Sequence, residues 1–443
     1  MQLLFRSVFI VDSQSACNGQ QLDVLVDNGL IRQIGAGLAV PENVRVIESN
    51  NLHLSPGWVD MRASAGDPGT EHREDLTSLA RAAAAGGFTD ICLLPNTSPV
   101  VDDKGTLNYI RRGAEGQPVV IHPVAAITKG AKGVDFTDMI DLYHAGAVAF
   151  SDGIHSLTNP DLLLKTLQYL QPLGALLMNH AEEPMLSRFG QMHEGVQSTM
   201  LGLKGLPAMA EEIAIERDLQ LLAYVFDVAR VETRDLVAEN ARVPTRATAS
   251  ALHFSTLSSA RSVELIRQAK ARGLSVSADV AAHQLVFTDE ALNGFDTNLK
   301  VNPPFRGADD VAALWAGLAD GTIDAVVSDH QPQDEESKNI EFDSADFGMI
   351  SLETVFALLI SYNVGRLSLA QLVDKLTVSP RQLLRLPVVS VAEGQLAMLT
   401  VFDPAATWTF AETHSKSKNS PFFGQSFTGR VVGTVHNGHY YQA

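Results

Sequence analysis

The chain has 443 residues, a formal net charge of −18 at pH 7, 45% hydrophobic residues and two cysteines. The acidic charge without a cluster of Lys and Arg argues against a nucleic-acid partner, and two distant cysteines argue against a disulfide framework or a cysteine-based zinc site. No run approaches the roughly 20 apolar residues of a membrane helix and residues 1–12 lack signal-peptide features, so we expect a cytoplasmic protein without a membrane partner, long enough for a large and a small domain.

β structure is predicted at both ends of the chain. Near the N-terminus, Asp27-Asn28-Gly29 separates two short apolar strands and is a strong hairpin signal. Near the C-terminus, residues 397–402 read as a strand, and Asn437-Gly438 marks another hairpin. We therefore expect a small β-sandwich domain formed by residues 1–52 and 386–443 together.

Between these ends, short apolar strands alternate with helices, which is the pattern of parallel βα units. Helices are predicted after most of the strands, for example at Leu76–Ala85, Ser259–Arg272 and Asp309–Ala319. The α/β pattern over residues 53–385 favours a TIM-like (β/α)8 barrel over a doubly wound sheet, since no Gly-x-Gly-x-x-Gly motif follows the first strand. The eight predicted strands are Ser55–Met61, Thr89–Leu94, Val119–Ala125, Ala147–Phe150, Ala175–Met178, Ala249–Phe254, Leu274–Ala278 and Ala325–Ser328.

The first of these strands continues to Asp67-Pro68-Gly69. This stretch resembles the first barrel strand of metal-dependent amidohydrolases, which ends in two histidines, one residue apart, that bind a metal. Arg62 and Ser64 stand in the two histidine positions. Because strand side chains alternate, Asp60, Arg62 and Ser64 are expected on one face, in the barrel interior.

Polar residues mark the ends of four later strands: Asp152, His180, His253 and Asp329. The C-terminal ends of barrel strands meet at one face, where the active sites of such barrels lie. Any one of these residues alone is most simply a capping or solvated residue. Two histidines and two aspartates on separate strands indicate a site, and they are a ligand mix that suits zinc or a similar divalent ion.

With these motifs the sequence resembles the dihydroorotases that associate with aspartate transcarbamoylase, from Met1 to Gly438. The resemblance implies a cyclic amidohydrolase of pyrimidine synthesis that interconverts carbamoyl-aspartate and dihydroorotate. It also implies that Asn96 and Asn302 hold the substrate. The motifs, specific only as a set, include Asp67-Pro68-Gly69, Leu94-Pro95-Asn96-Thr97, Phe150-Ser151-Asp152, His180-Ala181-Glu182, His253-Phe254-Ser255-Thr256, Asn302-Pro303-Pro304-Phe305-Arg306 and Ser328-Asp329-His330.

Metal and catalytic roles are likewise implied by motif position. Asp152 would bridge two zinc ions, and His180 and His253 would complete the second metal. Asp329 would bind the first metal and act as general acid and base, while the metal would generate the attacking hydroxide. The fourth strand carries no lysine near Asp152, which argues against hydantoinases and allantoinases, whose bridge is typically a carboxylated lysine.

Departures from the family pattern concentrate on the first strand. Arg62 and Ser64 replace the two histidines, and Gly66 replaces the arginine that binds the substrate carboxylate. After the eighth strand, Gln333 replaces a second histidine, and the Asp-Asp-Gly after the fourth strand is shortened to Asp152-Gly153. We therefore expect at most one zinc ion per chain, or none, and hydrolysis that is absent or strongly reduced.

Arg62 allows two interpretations. Its guanidinium could replace the first metal as a fixed cation by pairing with Asp329 or Asp152, because a planar fork of donors suits carboxylates. Alternatively, it could bend out into solvent at the rim. For His180 and His253, hydrogen-bonded core histidines are as well supported as metal ligands.

Three functions remain open at this point. The first is a catalytically impaired dihydroorotase homologue that serves as a structural partner of aspartate transcarbamoylase. The second is an active cyclic amidohydrolase with a single metal at Asp152, His180 and His253. The third is a small-molecule binding protein that uses the vacated pocket. The missing histidine pair and Gly66 favour the first, and the resemblance implies at least a homodimer.

Overall fold

The computed structural model describes residues 2–238 and 251–443, without the side chains of residues 228–238. Residues 249 and 250 of the predicted strand Ala249–Phe254 lie outside this part. The strands are β1 Gln2–Ile10, β2 Gln21–Asp27, β3 Leu30–Gly35, β4 Arg45–Ile47, β5 His53–Pro56, β6 Trp58–Ala63, β7 Phe88–Leu93, β8 Val120–Pro123, β9 Ala149–Phe150, β10 Leu176–His180, β11 Met192–His193, β12 Gly205–Leu206, β13 Leu252–Ser255, β14 Val276–Ala281, β15 Ala325–Val327, β16 Leu399–Thr409, β17 Ser426–His436 and β18 His439–Gln442.

The α-helices alternate with the strands of the central region, which confirms the predicted α/β class. Within the described residues, no helix is long and apolar enough to cross a bilayer. The helices are α1 Leu76–Ala85, α2 Lys104–Gly113, α3 Met139–Ala145, α4 Pro160–Leu170, α5 Pro184–Ser187, α6 Val196–Leu201, α7 Ala208–Ala238, α8 Ala260–Ala271, α9 Ala308–Asp320, α10 Glu335–Lys338, α11 Val355–Tyr362, α12 Leu369–Leu376 and α13 Val378–Leu383.

Strands from both ends of the chain pair in one sheet, in the order β18-β17-β16-β5-β1-β2-β3, with β4 also paired to β1. The hairpins predicted at the two Asn-Gly pairs are present: Asn28 and Gly29 join β2 to β3, and Asn437 and Gly438 join β17 to β18. All four residues have positive φ, which asparagine and glycine tolerate best. Apolar side chains of the N-terminal strands pack with Leu399, Val401 and others from the C-terminal strands in a separate core.

Within the described residues, two sheets of the central region contain eight parallel strands, apart from the short pair β11 and β12. β6, β7 and β8 form one sheet, and β9, β10, β13, β14 and β15 form another. Isolated parallel bridges pair Ala125 with Phe150 and Ala63 with His330, which links the two sheets at both ends. The strands therefore follow one another in cyclic order, and their C-terminal ends lie on the same side of the molecule.

The predicted strand Ser55–Met61 is two strands. Residues 53–56 belong to β5 in the terminal sheet, and β6 begins at Trp58. Gly57 lies between the two strands, and a Cβ at this position would lie 2.1 Å from the Thr89 hydroxyl oxygen. The chain therefore passes from one sheet to the other at a position that only glycine fits.

Simple alternation describes only the first part of β6, because Ala63 packs in the main core cluster and not with Val59 and Met61. Val59 and Met61 pack in one apolar cluster with Met178 of β10 and Val327 of β15. The pairing of β6 with β7 shifts register between Asp60 and Ala63. Arg62 lies within this irregular part of the strand, which the sequence pattern did not predict.

Candidate functional site at the C-terminal strand ends

Arg62 and Asp329 form a buried ion pair. The Nε atom of Arg62 lies 2.7 Å from Asp329 Oδ1, and the two side chains are 1% and 2% exposed. Gln331 Nε2 donates a second hydrogen bond to the same oxygen, at 2.9 Å. Burial alone would raise the pKa of Asp329, but the Arg62 guanidinium beside it lowers that pKa below its usual value. The predicted pairing of Arg62 with Asp329 is confirmed, and the alternative of an Arg62 side chain in solvent is wrong.

Asp152 is held by the loop that follows β8. Its Oδ1 accepts hydrogen bonds from the amides of Ile127 and Thr128, at 3.0 and 2.9 Å, and its Oδ2 accepts one from Thr128 Oγ1 at 2.6 Å. Burial raises the pKa of Asp152. Both carboxylate oxygens therefore already have protein donors.

Asn96, predicted to hold substrate, braces the loop at Asp152. Its Nδ2 donates to the Asp152 carbonyl oxygen at 3.1 Å, and its Oδ1 accepts from the Ile154 amide at 3.0 Å. Between these two residues, Gly153 has φ 70°, and a Cβ there would lie 1.7 Å from Asn96 Oδ1. The shortened loop is thus closely fitted to Asn96, which bonds to it through both the nitrogen and the oxygen of its side-chain amide.

His180 and Asn302 are brought together by Glu182. The Nε2 atom of His180 lies 3.1 Å from Glu182 Oε2, and Asn302 Nδ2 donates to that same oxygen at 2.9 Å. Burial alone would raise the pKa of Glu182, but its hydrogen bond and charge interaction with His180 lower it to about 2. Sequence reasoning gave Glu182 no role, although its place two residues after a strand-end histidine was a usable signal.

His253 is a hydrogen-bonded core histidine in this structure. Its Nδ1 lies 2.9 Å from Ser277 Oγ and its Nε2 lies 2.8 Å from Asp279 Oδ2, with the ring fully buried. The other oxygen of Asp279 accepts the Thr256 amide at 2.6 Å. Asp279 and Ser277 lie on β14, the strand beside β13, and sequence reasoning missed both. Neither ring nitrogen of His253 is free to bind a ligand.

His283 lies near Asp329, and the sequence pattern indicates no role for it. Its ring is 1% exposed and packs edge-on against Phe305. It also interacts electrostatically with the charge of Asp329. Burial lowers the pKa of His283 to about 4, so the ring is neutral near pH 7. Its two nitrogens have no hydrogen-bond partner among the described residues.

The position of the missing substrate arginine cannot accept a side chain as the backbone stands. A Cβ on Gly66 would lie 2.0 Å from the carbonyl oxygen of Thr70. The amide of Thr70 donates back to the Gly66 carbonyl at 2.5 Å, which closes a tight turn. The other replaced position, Ser64, donates its amide to the His330 carbonyl at 2.8 Å.

Gln333, in the place of the family's second histidine, is also used structurally. Its Oε1 accepts from Arg73 Nη1 at 2.6 Å, and its Nε2 donates to the Phe347 carbonyl at 2.8 Å. These bonds hold the loop after β15. The side-chain amide of Gln333 therefore makes structural hydrogen bonds at a position where the family has a titratable histidine.

The residues present do not fit the metal that the resemblance implies. In the part of the chain that the structure describes, no three His, Cys, Asp or Glu side chains are arranged to hold an ion. Asp329 is paired with Arg62, and the donor atoms of Asp152 and His253 are bonded to neighbouring protein groups. Of the four predicted ligands, only His180 keeps a buried atom, Nδ1, without a partner among the described residues.

Comparisons with known proteins agree over the whole chain. A family model described as dihydro-orotase-like matches residues 52–227, and a model described as amidohydrolase family matches residues 232–440. The dihydroorotase of Citrifermentans bemidjiense is 40% identical over 442 residues, which covers 99% of each chain. The dihydroorotase of Pelotomaculum thermopropionicum is 40% identical over 442 residues, 99% of this chain and 98% of the relative.

Among solved structures, the L-hydantoinase (dihydropyrimidinase) from Arthrobacter aurescens is similar, with a TM-score of 0.80 and 24% sequence identity. The match covers 99% of this chain and 95% of the hydantoinase. The dihydropyrimidinase from Brevibacillus agri NCHU1002 gives a TM-score of 0.81 at 22% identity. At these identities the likeness shows the fold alone.

Proposed function

This chain belongs to the dihydroorotase family of amidohydrolases, and we propose that it is a catalytically impaired member that acts in pyrimidine synthesis as a structural partner of aspartate transcarbamoylase. The proposal rests on one observation, the buried ion pair of Arg62 and Asp329. A general acid and base must exchange a proton with the substrate. Asp329, the residue that the resemblance assigns to this role, is instead held in its charged form by a buried guanidinium.

Substrate recognition is weakened at the same time. Dihydroorotate and carbamoyl-aspartate carry carboxylates, which need a cation or several N–H donors. The turn at Gly66 leaves no room for the family's arginine, and the guanidinium of Arg62 is already paired with Asp329. Asn96, which the resemblance assigns to substrate binding, is bonded to the loop at Asp152.

The active alternative with a single metal is less well supported. It needs donor atoms of Asp152, His180 and His253 to meet at one ion. Both nitrogens of His253 and both oxygens of Asp152 are instead bonded to protein groups. Such an enzyme would first have to break these bonds.

We also infer that the cyclic order of the eight parallel strands is a closed (β/α)8 barrel with a small β-sandwich domain from both termini. The two bridges that link the sheets and the likeness to hydantoinase structures support this inference. Since β5 pairs with β1 and β16, the smaller domain extends to Pro56 and the barrel begins after Gly57, rather than at residue 53.

The purified chain should be assayed for hydrolysis of dihydroorotate and for the reverse cyclisation, with and without added zinc, beside an intact dihydroorotase. Loss of one preorganised electrostatic contact costs about 3 kcal/mol, or roughly a hundredfold in rate. Both histidines of the first metal site are replaced, and so is the arginine that binds the substrate carboxylate. We therefore expect turnover several orders of magnitude below that of the intact enzyme. Turnover within tenfold of that enzyme would refute the impaired function.

A further inference from the structure

We propose that the Arg62 guanidinium is a permanent internal cation that takes the place of a metal ion, so that the centre of this protein is complete without metal. The inference concerns the same site as the proposed function and deepens it. Turnover tests the function, whereas metal content and unfolding temperature test this inference. Either can therefore fail without the other.

The guanidinium joins its own strand to two other places in the chain. It lies near the end of β6, its Nε is 2.7 Å from Asp329 after β15, and its Nη1 is 3.4 Å from the carbonyl oxygen of Gly153 after β9. β6 and β15 are neighbours through the bridge between Ala63 and His330. Arg62 therefore holds together the strand ends that a metal ion joins in an enzyme of this type.

A guanidinium suits this position because it keeps its charge and presents several donors in a fixed plane. With Arg62 1% exposed and Asp329 2% exposed, water contributes little to either charge. A buried carboxylate without a partner is strongly unfavourable. The pair therefore has a specific energetic role: each charge makes the burial of the other tolerable.

Asp152 and His253, two more of the predicted ligands, are satisfied by the protein itself, whereas His180 Nδ1 and both nitrogens of His283 have no partner among the described residues. Asp152 accepts from Ile127 and from the amide and hydroxyl of Thr128, and His253 bonds to Ser277 and Asp279. Metal binding at these residues would break hydrogen bonds inside a region with little access to water, where each unmade bond is costly. The closed arrangement is thus a stable alternative to metal binding.

The first test uses the wild-type chain. Its zinc content after purification and its unfolding temperature should be measured as prepared, after EDTA treatment, and with added zinc. We expect zinc well below one equivalent per chain and the same unfolding temperature in all three conditions. One tightly held equivalent, or a lower unfolding temperature after EDTA, would overturn the inference.

The second test uses charge removal. Arg62→Met leaves Asp329 buried without its partner and should lower the unfolding temperature by about 5 °C or more. Adding Asp329→Asn removes the remaining charge, so the double variant should recover part of that loss. A purely space-filling role for Arg62 would give no recovery, and this result, or an unchanged unfolding temperature in Arg62→Met, would contradict the proposal.

Two variants complete the design. Arg6→Met is the matched control, because Arg6 lies 2.8 Å from Asp23 in the terminal sheet but its side chain is 25% exposed, and a small change is expected. Arg62→Lys keeps the charge and loses the planar fork, so its loss should be smaller than that of Arg62→Met. If Arg62→Met does not fold but the double variant does, the result supports the inference. If neither of these variants folds while Asp329→Asn alone is stable, the result opposes it.

Discussion

Lys338 shows what a buried charge without a carboxylate partner does to this molecule. It is 5% exposed, and its Nζ donates to the carbonyl oxygens of Asp346 and Gly348 at 2.7 and 2.9 Å. The charges of Asp346 and Asp296 only partly offset the burial of this ammonium group. Burial, with the charge of the nearby Lys300, lowers the pKa of Lys338 to about 7.

This shift predicts a specific pH dependence of stability. Because the pKa of Lys338 is about 7 in the folded chain and 10.5 in the reference state, the folded chain binds fewer protons between these values. The contribution of Lys338 to the free energy of unfolding therefore rises with pH across this window. Lys338→Met should remove that contribution, so the difference between wild type and variant should shift in favour of wild type from pH 7 to pH 9.

Urea unfolding at several pH values measures this difference. Lys165→Met is a suitable control, because Lys165 is 55% exposed and forms an ion pair with Asp161 one helical turn away. The control should show no such pH trend. Parallel pH profiles for wild type and Lys338→Met would contradict the prediction.

At the scale of elements, the turn between α1 and β7 depends on a glycine. Gly87 has φ 94°, and a Cβ there would lie 2.6 Å from two ring carbons of Trp58. Trp58 is fully buried and begins β6, so the turn and the first parallel strand are packed directly together.

Gly87→Ala should therefore be costly for two reasons, backbone strain and overpacking against Trp58. We expect a loss of at least about 2 kcal/mol in the free energy of unfolding. Gly116→Ala separates the two causes: Gly116 has φ 76° but no described atom within 4 Å of an added Cβ, so only about 1 kcal/mol should be lost. Chemical denaturation measures both, and equal losses would show that contact with Trp58 adds nothing.

At the scale of the whole molecule, we expect at least a homodimer, and a larger assembly with aspartate transcarbamoylase. The expectation rests on the family resemblance and not on a described interface. Sedimentation at micromolar concentration should show a species larger than the 47.7 kDa chain, and a further increase when the transcarbamoylase is added. A monomer under both conditions would contradict the structural-partner role while leaving the loss of activity to be tested separately.

The order of most helices and strands could be predicted from the sequence, because it depends on the periodicity of apolar residues and on turn residues that are close together in the chain. The predicted helix Leu76–Ala85 has the bounds found in the structure, and the Asn-Gly turns lie where expected. Polar residues near the ends of predicted strands identified Asp152, His180, His253 and Asp329 as a group, although His253 lies inside β13 in the structure. The loss of the histidine pair at positions 62 and 64 is likewise a local fact of the sequence.

The tertiary structure alone decided what each of these side chains contacts. Arg62 forms an ion pair with Asp329, which is 267 positions away in the chain, and His253 is hydrogen-bonded to Asp279 on the neighbouring strand. Neither contact follows from local periodicity, because each depends on how strands distant in sequence are aligned. The sequence by itself therefore determined the family, the strand ends and the missing ligands, whereas the packing of the strands decided that the remaining charges are satisfied within the protein.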